Sequence, residues 1–317
     1  MREREIRVGV VGATGAVGTV ALALLAERGF GHVRAFATAR SAGRTVRFGD
    51  RELTVEEGTP EALSAGDLDL CFFSVGTDAS RELVPPAVES GAVAIDKSDA
   101  YRLAEGVPLV VAGVNDEALN GDRIVANPNC SAIQLSCVLK PLADAAGLRR
   151  VRLATYQSMS GAGDAGIERL RRTEPLEGDL VMDWEFDGEE FGEESKLRAE
   201  TRKILGFPEL PLHAACVRVP VLVGHAQAVW IETEEPLPPE DAAKVLATAP
   251  HVRLAEFPTP RSAAGGDEVL VGRIRRDAAA EHGGLSLWIV NDNLRKGAAL
   301  NAVQIAELLL ARQLLPV

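Results

Sequence analysis

Ile6-Arg-Val-Gly-Val-Val11 runs directly into Gly12-Ala-Thr-Gly15-Ala-Val-Gly18 and then into Thr19-Val-Ala-Leu-Ala-Leu-Leu25. An apolar run, a glycine turn and an apolar helical stretch, in that order, read as the strand, loop and helix of a dinucleotide-binding fold. Gly12 permits the tight turn, Gly15 lets the backbone approach a pyrophosphate, and Gly18 lets the helix pack close to the strand. The helix N-terminus then offers the phosphates the turn at Gly12, Thr14, Gly15, Ala16 and Val17. The spacing is G-x-x-G-x-x-G, a variant of the usual pattern, and a ligand-free strand-to-helix turn is the competing reading.

Outward from this stretch the alternation continues. Strands are expected at residues 33–38, 68–75, 92–95, 108–114 and 124–126, with a hairpin-like segment at 44–56 and a helix near 78–90. Strands and helices taking turns make a Rossmann-like, doubly wound parallel sheet in an α/β protein. The second strand ends without the acidic residue that would bind a ribose 2′-hydroxyl, and Thr38-Ala-Arg40-Ser41 stands there instead. An arginine flanked by hydroxyls suits a 2′-phosphate, which favours NADP over NAD. A solvated surface loop is the alternative.

Ile124-Val-Ala-Asn127-Pro128-Asn129-Cys130-Ser131 ends an apolar run at Asn-Pro and opens a helix with a cysteine. Asn127 and Asn129 are both candidate acceptors for first-turn amides, and Pro128 biases its predecessor towards extended geometry. A thiol at that position is favoured as the thiolate, the form that attacks carbonyl or acyl-phosphate carbon. A small buried hydrophobe is the bland reading of the same residue. Cys71, Cys137 and Cys216 lie in apolar runs or on the helix and are expected to be core residues. No C-x-x-C pair, zinc spacing or other metal site stands out.

After the helix at 130–146 the pattern changes to longer strands at 151–158, 214–232, 269–274 and 285–290, with helices at 164–172, 193–205 and 239–247. This is a second, α+β domain with a mixed sheet. The last helix, 294–313, is expected to return to the first domain. Gln157 precedes the glycine-rich turn Ser158-Met-Ser160-Gly161-Ala-Gly163, where a side-chain amide can position a substrate. Lys196, near the start of a helix, works against the helix dipole, which suggests placement for a ligand. Arg218 and His225 sit in apolar strand sequence, where a guanidinium needs an anion and a histidine can exchange protons near neutrality. An internal salt bridge and a core histidine are the competing readings. Arg102 follows the C-terminal end of a strand, the edge where such sheets bind ligands.

Composition sets the outer bounds. With 317 residues, 46% hydrophobic and 25% charged, the chain has the makings of about two globular domains. A formal charge of -12 argues against non-specific nucleic-acid binding. No apolar run approaches the length of a membrane helix, and the charged start leads straight into a strand, so a cytoplasmic location is expected.

Six stretches in order now carry a resemblance: Gly12 to Gly18, Asn127-Pro-Asn-Cys-Ser131 with Gln134, Ser160-Gly-Ala-Gly163, Glu200-Thr-Arg-Lys-Ile-Leu205, Arg218 through Gly224-His225, and Asn293 through Asn301. The chain resembles the aspartate-semialdehyde dehydrogenase family along most of its length. The resemblance implies an NADP-binding domain at 1–127 and 298–317 and a catalytic and dimerisation domain at 128–297, assembled as a homodimer. It implies reversible NADPH-dependent conversion of L-aspartyl 4-phosphate to the 4-semialdehyde, a step shared by lysine, threonine and methionine synthesis. Carried over residue by residue, it makes Cys130 the nucleophile, His225 the acid/base and Gln157 a positioning residue. Arg218 would grip the substrate carboxylate, Glu193 its ammonium, and Arg102, Asn129 and Lys196 its phosphate. Thr38, Arg40, Ser41, Ser160, Gly161 and Asn291 would join the glycine turn around NADP. The neighbouring reductase of N-acetylglutamyl phosphate and a catalytically silent NADP-sensing relative are the alternatives. Residues 174–192 are the least family-like and receive no role.

Overall fold

The computed structural model describes residues 6–172, 179–182 and 184–315, and the chain divides into two compact units, Met1–Pro128 with Ala298–Val317, and Asn129–Gly297. The first unit holds β1 (Arg7–Val11), α1 (Ala16–Glu27), β2 (His32–Ala37), β3 (Thr45–Phe48), β4 (Arg51–Glu57), α2 (Pro60–Leu63), β5 (Leu70–Phe73), α3 (Thr77–Glu89), β6 (Val93–Asp96) and β7 (Ile124–Ala126). Its sheet runs β3-β4-β2-β1-β5-β6-β7, all parallel except the β3/β4 hairpin. Near-continuous apolar strands such as Leu70–Phe73 are buried throughout, as a sheet covered on both faces requires. The chain leaves β1 towards β2 on one side and returns to β5 on the other, so the crevice between β1 and β5 is the topological switch point.

The segment 108–114 is not the strand its apolar sequence suggests. Only an isolated bridge, Leu109 to Ala126, forms there. The amides that would build a ladder go elsewhere: Val111 N–H donates to Asn115 Oδ1 and Ala112 N–H to Asn301 Oδ1. The closing helix is also shorter than expected, Leu300–Ala311, preceded by one π turn at Arg295–Ala299. Its buried Leu300, Val303, Ile305 and Leu309 join the core formed by β1, α1 and β2.

The second unit holds α4 (Cys130–Ala146), β8 (Arg150–Gln157), α5 (Gly163–Arg171), β9 (Phe186–Asp187), β10 (Glu190–Phe191), α6 (Gly192–Leu205), β11 (Leu212–Arg218), β12 (His225–Glu232), α7 (Pro239–Ala247), β13 (Val252–Leu254), α8 (Pro260–Ala263), β14 (Val269–Arg276) and β15 (Gly284–Asn291). The run expected as one strand over 214–232 is therefore two. Pro220 lacks a donor and Gly224 turns with a φ of 103°, so the chain breaks between Arg218 and His225. The main sheet has the order β11-β8-β12-β15-β14-β13 and mixed pairing, parallel at β11/β8 and β13/β14 and antiparallel between. Alternate burial along β8 turns Val151, Leu153, Thr155 and Gln157 to the covered face. Helix α4 packs against α6 and α7.

Candidate active site

Strand order and register bring four of the expected residues into one row. Arg218 ends β11 opposite Gln157, which ends β8; His225 begins β12 beside it, and opposite His225 stands Asn291, the last residue of β15. The order Arg218, Gln157, His225, Asn291 crosses four neighbouring strands at one end of the sheet. All four are buried, Arg218 at 8% exposure and the other three at 1% or less. The Nε2 of His225 and both polar atoms of Asn291 have no hydrogen-bond partner among the described residues. A buried donor left this way costs about 1–3 kcal/mol, the pattern of a site shaped for a ligand.

Cys130 opens α4 and is half-buried, whereas the other three cysteines are fully buried thiols. Burial pushes the thiols of Cys71 and Cys216 up to about 12 and raises that of Cys137 as well. The cap of α4 is Asn129, whose Oδ1 accepts from Ser131 N–H at 2.8 Å. Asn127 is not a cap: its Oδ1 accepts from Asn301 Nδ2 at 2.8 Å. The first-turn amides and the helix dipole favour an anion at the Cys130 sulfur. Gly297 lies against Cys130, since a Cβ there would stand 3.2 Å from Cys130 Cβ and 3.2 Å from Asn291 Nδ2.

Glu193 links this helix start to the row. Its Oε1 accepts from Asn129 Nδ2 and from Gln157 Nε2, both at 3.0 Å. Asn129 N–H donates to the buried carboxylate of Glu200 at 2.6 Å. Lys196, one helical turn along α6 from Glu193, is on the same side of that helix. Beside His225, Gly161 has no room for a side chain: a Cβ would come within 2.9 Å of His225 Cε1 and 3.2 Å of Arg218 Nη1. Burial first and the Arg218 guanidinium second drive His225 down to about 3, with the Gly224 carbonyl pulling the other way.

Arg102 belongs to the first unit, where its guanidinium donates to Asp99 Oδ1 at 2.8 Å, to the Asn127 carbonyl at 3.2 Å and to the Lys97 carbonyl. The glycine turn lies in the same unit. A Cβ on Gly12 would meet the Ser74 carbonyl at 2.4 Å, and one on Gly18 the Gly12 carbonyl at 2.1 Å, so both glycines are sterically required. Gly15 caps α1 without a side-chain hydrogen bond, and a Cβ there would meet only the Gly12 carbonyl, at 3.5 Å. This open, uncapped helix start fits a pyrophosphate carried by Gly12, Thr14, Gly15, Ala16 and Val17. Thr38 and Arg40 are exposed and Ser41 is buried, in a turn closed by Ser41 N–H on the Thr38 carbonyl at 2.8 Å. Ser160 and Gly161 occupy the short 3₁₀ turn after β8 in the second unit, as Asn291 does the end of β15.

Residues given no role in the sequence reading also appear. Trp184 lies with its ring 4.6 Å from the Arg218 guanidinium, in a segment previously without a role. Residues 173–178 and 183 of that neighbourhood fall outside the described residues. Ser158 and Asn293 both reach the His225 neighbourhood. An amphipathic pattern would not reveal them; only the adjacency of Ser158 to Gln157 and the place of Asn293 at the head of the last motif were visible. No group of side chains suited to a metal, and no helix long and apolar enough to cross a membrane, occurs among the described residues.

Two family models match this chain, one described as the NAD binding domain of semialdehyde dehydrogenase over residues 7–121 and one as its dimerisation domain over 181–296. An aspartate-semialdehyde dehydrogenase of Corynebacterium melassecola is 42% identical, covering 95% of this chain and 98% of its own. The crystal structure of aspartate semialdehyde dehydrogenase II of Vibrio cholerae, complexed with ASA, superposes with a TM-score of 0.92 at 39% identity, over 96% of this chain and 98% of that one. An aspartate semialdehyde dehydrogenase structure with NADP from Candida albicans gives a TM-score of 0.80 at 26% identity, over 98% and 99% of the two chains.

Proposed function

The chain belongs to the aspartate-semialdehyde dehydrogenase family, and from that premise we propose that it interconverts L-aspartyl 4-phosphate and L-aspartate 4-semialdehyde with phosphate, using NADP and a thioester on Cys130. The observation that carries the reading is the buried row Arg218, Gln157, His225, Asn291, linked through Glu193 and Asn129 to the start of the cysteine helix.

The reaction follows from those side chains. The Cys130 thiolate adds to the acyl-phosphate carbon, and the tetrahedral adduct collapses to a thioester as the C–O bond to phosphate breaks. Gly12, Thr14, Gly15, Ala16 and Val17 would hold the nicotinamide cofactor, whose chemistry would be the hydride that reduces this thioester. The resulting alkoxide reforms its carbonyl, the C–S bond breaks, and Cys130 regains its thiolate as the semialdehyde departs. His225 serves the reacting carbonyl oxygen, and Gln157 orients the substrate. The planar fork of Arg218, held over Trp184, takes the α-carboxylate bidentately. Glu193 takes the ammonium, a group that an N-acetylated substrate lacks. Asn129 and Lys196 are assigned the phosphate, and Thr38, Arg40 and Ser41 the 2′-phosphate that selects NADP. The dimerisation-domain match over 181–296 supports a homodimer.

The test uses the oxidative direction. Semialdehyde and NADP without phosphate should give a burst of about one NADPH per active site and then very slow turnover, because the thioester awaits its acceptor. Added phosphate should restore steady, saturable turnover. Fast multiple turnovers in phosphate-free buffer, with aspartate as product, would show that water releases the acyl group and that the phosphate assignment is wrong.

A further inference from the structure

We propose that Ser158, Ser160 and Asn293 form a directional hydrogen-bond chain that holds His225 as its Nε2–H tautomer, so that the neutral ring donates a hydrogen bond to the reacting carbonyl oxygen. The proposal rests on the reading of His225 as the group at that oxygen.

The chain can be followed from its far end. Gly224 N–H donates to Asn293 Oδ1 at 2.8 Å, and because an amide N–H can only donate, it fixes which side of the Asn293 amide is oxygen. Asn293 Nδ2 therefore donates to Ser160 Oγ at 3.0 Å. Ser160 Oγ stands 3.2 Å from Ser158 Oγ, and Ser158 Oγ stands 3.1 Å from His225 Nδ1. Each hydroxyl has a second acceptor in Asn293 Oδ1, at 3.0 Å from Ser158 and 3.3 Å from Ser160.

The backbone enforces the same tautomer. Ser158 N–H donates to His225 Nδ1 at 3.0 Å, so Nδ1 is an acceptor and the one proton of the neutral ring is on Nε2. Ser158, Ser160, His225 and Asn293 are all 2% exposed or less, so water does not compete for these bonds. At the other end of the ring, Nε2 has no partner among the described residues and stands against Gly161, where a Cβ would be 3.0 Å away. A buried N–H held in this way is a hydrogen-bond donor awaiting an acceptor. Arg218 is the charged group facing the ring, and together with burial it opposes protonation, which keeps the ring neutral at working pH.

The reduction step closes without a proton transfer through His225, in place of the acid/base role that the resemblance implies. As hydride from the bound cofactor would form a C–H bond at the thioester carbon, the carbonyl π pair would move to oxygen, to which Nε2–H donates a hydrogen bond. That pair then reforms C=O as the C–S bond breaks and its electrons return to sulfur. His225 acts as part of an oxyanion site, and Ser158 and Asn293 act through it as positioning residues.

The test is 15N NMR of the whole protein labelled at histidine, which has only five such residues, with His225 identified by its absence in His225→Asn. A protonated Nε2 and an unprotonated, hydrogen-bonded Nδ1, unchanged from about pH 6 to about pH 9, are expected. A proton on Nδ1, or titration in that range, would overturn the proposal. Asn293→Asp supplies the second measurement. Its carboxylate only accepts, so both hydroxyls turn towards it and Ser158 presents a lone pair to Nδ1. The new negative charge favours the charged ring, so His225 should then titrate at a higher pH than in the unmodified protein, and kcat should fall roughly tenfold or more with KM for the semialdehyde nearly constant. Unchanged kcat with an unchanged ring would refute the chain. The spectrum of the unmodified protein decides the tautomer even if that variant does not fold, and it needs no substrate, so it stands apart from the assigned reaction.

Discussion

Gly161→Ala adds one methyl group at the point where His225 and Arg218 converge. Gly161 lies in a 3₁₀ turn with no left-handed backbone requirement, so alanine meets no backbone penalty and the effect is purely one of space. The new Cβ would sit 2.9 Å from His225 Cε1, 3.0 Å from its Nε2 and 3.2 Å from Arg218 Nη1. Neither neighbour yields easily: the His225 ring is pinned at Nδ1 by Ser158, and the Arg218 guanidinium lies against Trp184. Inserting a methyl into a packed site costs about 1–3 kcal/mol. If the ring moves to relieve the contact, that cost falls on transition-state stabilisation and lowers kcat/KM by roughly 5- to 150-fold. If the fold absorbs it, the melting temperature falls instead. Initial rates of NADPH formation with semialdehyde and saturating phosphate, alongside thermal melts, separate the two. A variant that matches the parent protein in both would mean that the ring and the guanidinium are not packed as described.

Two further outcomes follow from the same geometry. Alkylation with iodoacetamide near pH 8 should label Cys130 alone, because raised pKa values keep Cys71, Cys137 and Cys216 protonated until far higher pH; mass spectrometry showing early labelling of Cys216 would contradict this. Arg40→Ala should raise KM for NADPH much more than KM for NADH, since only the former carries the 2′-phosphate; equal effects would remove Arg40 from the cofactor site.

Local chemistry made much of this molecule legible. The strand, glycine turn and helix at Arg7–Glu27 were readable because each of Gly12 and Gly18 answers a nearby steric demand. The helix beginning at Cys130 was readable from its Asn129 cap. Where the reading failed, distant partners had intervened. Residues 108–114 look like a strand, but Asn301, far along the chain, takes the amide of Ala112. Asn127 looks like a cap, but the same Asn301 donates to it. Ser158 and Asn293 were legible only as members of motifs, and Trp184 not at all, since their roles depend on which strand ends become neighbours. The arrangement of Arg218, Gln157, His225 and Asn291 as a row depends on strand order, which no spacing within the chain encodes.

The helix Leu300–Ala311, whose side chains complete the core around β1, has a consequence for synthesis. That core cannot close when its strands leave the ribosome, because residues 129–297 must be made before the helix exists. At roughly 5–20 residues per second this leaves the core beside the β1 to β7 sheet uncovered for on the order of ten seconds or more. During that interval the faces meant for Leu300, Val303 and Leu309 stay open to solvent or to chaperones, while the unit that begins at Asn129 is free to fold first.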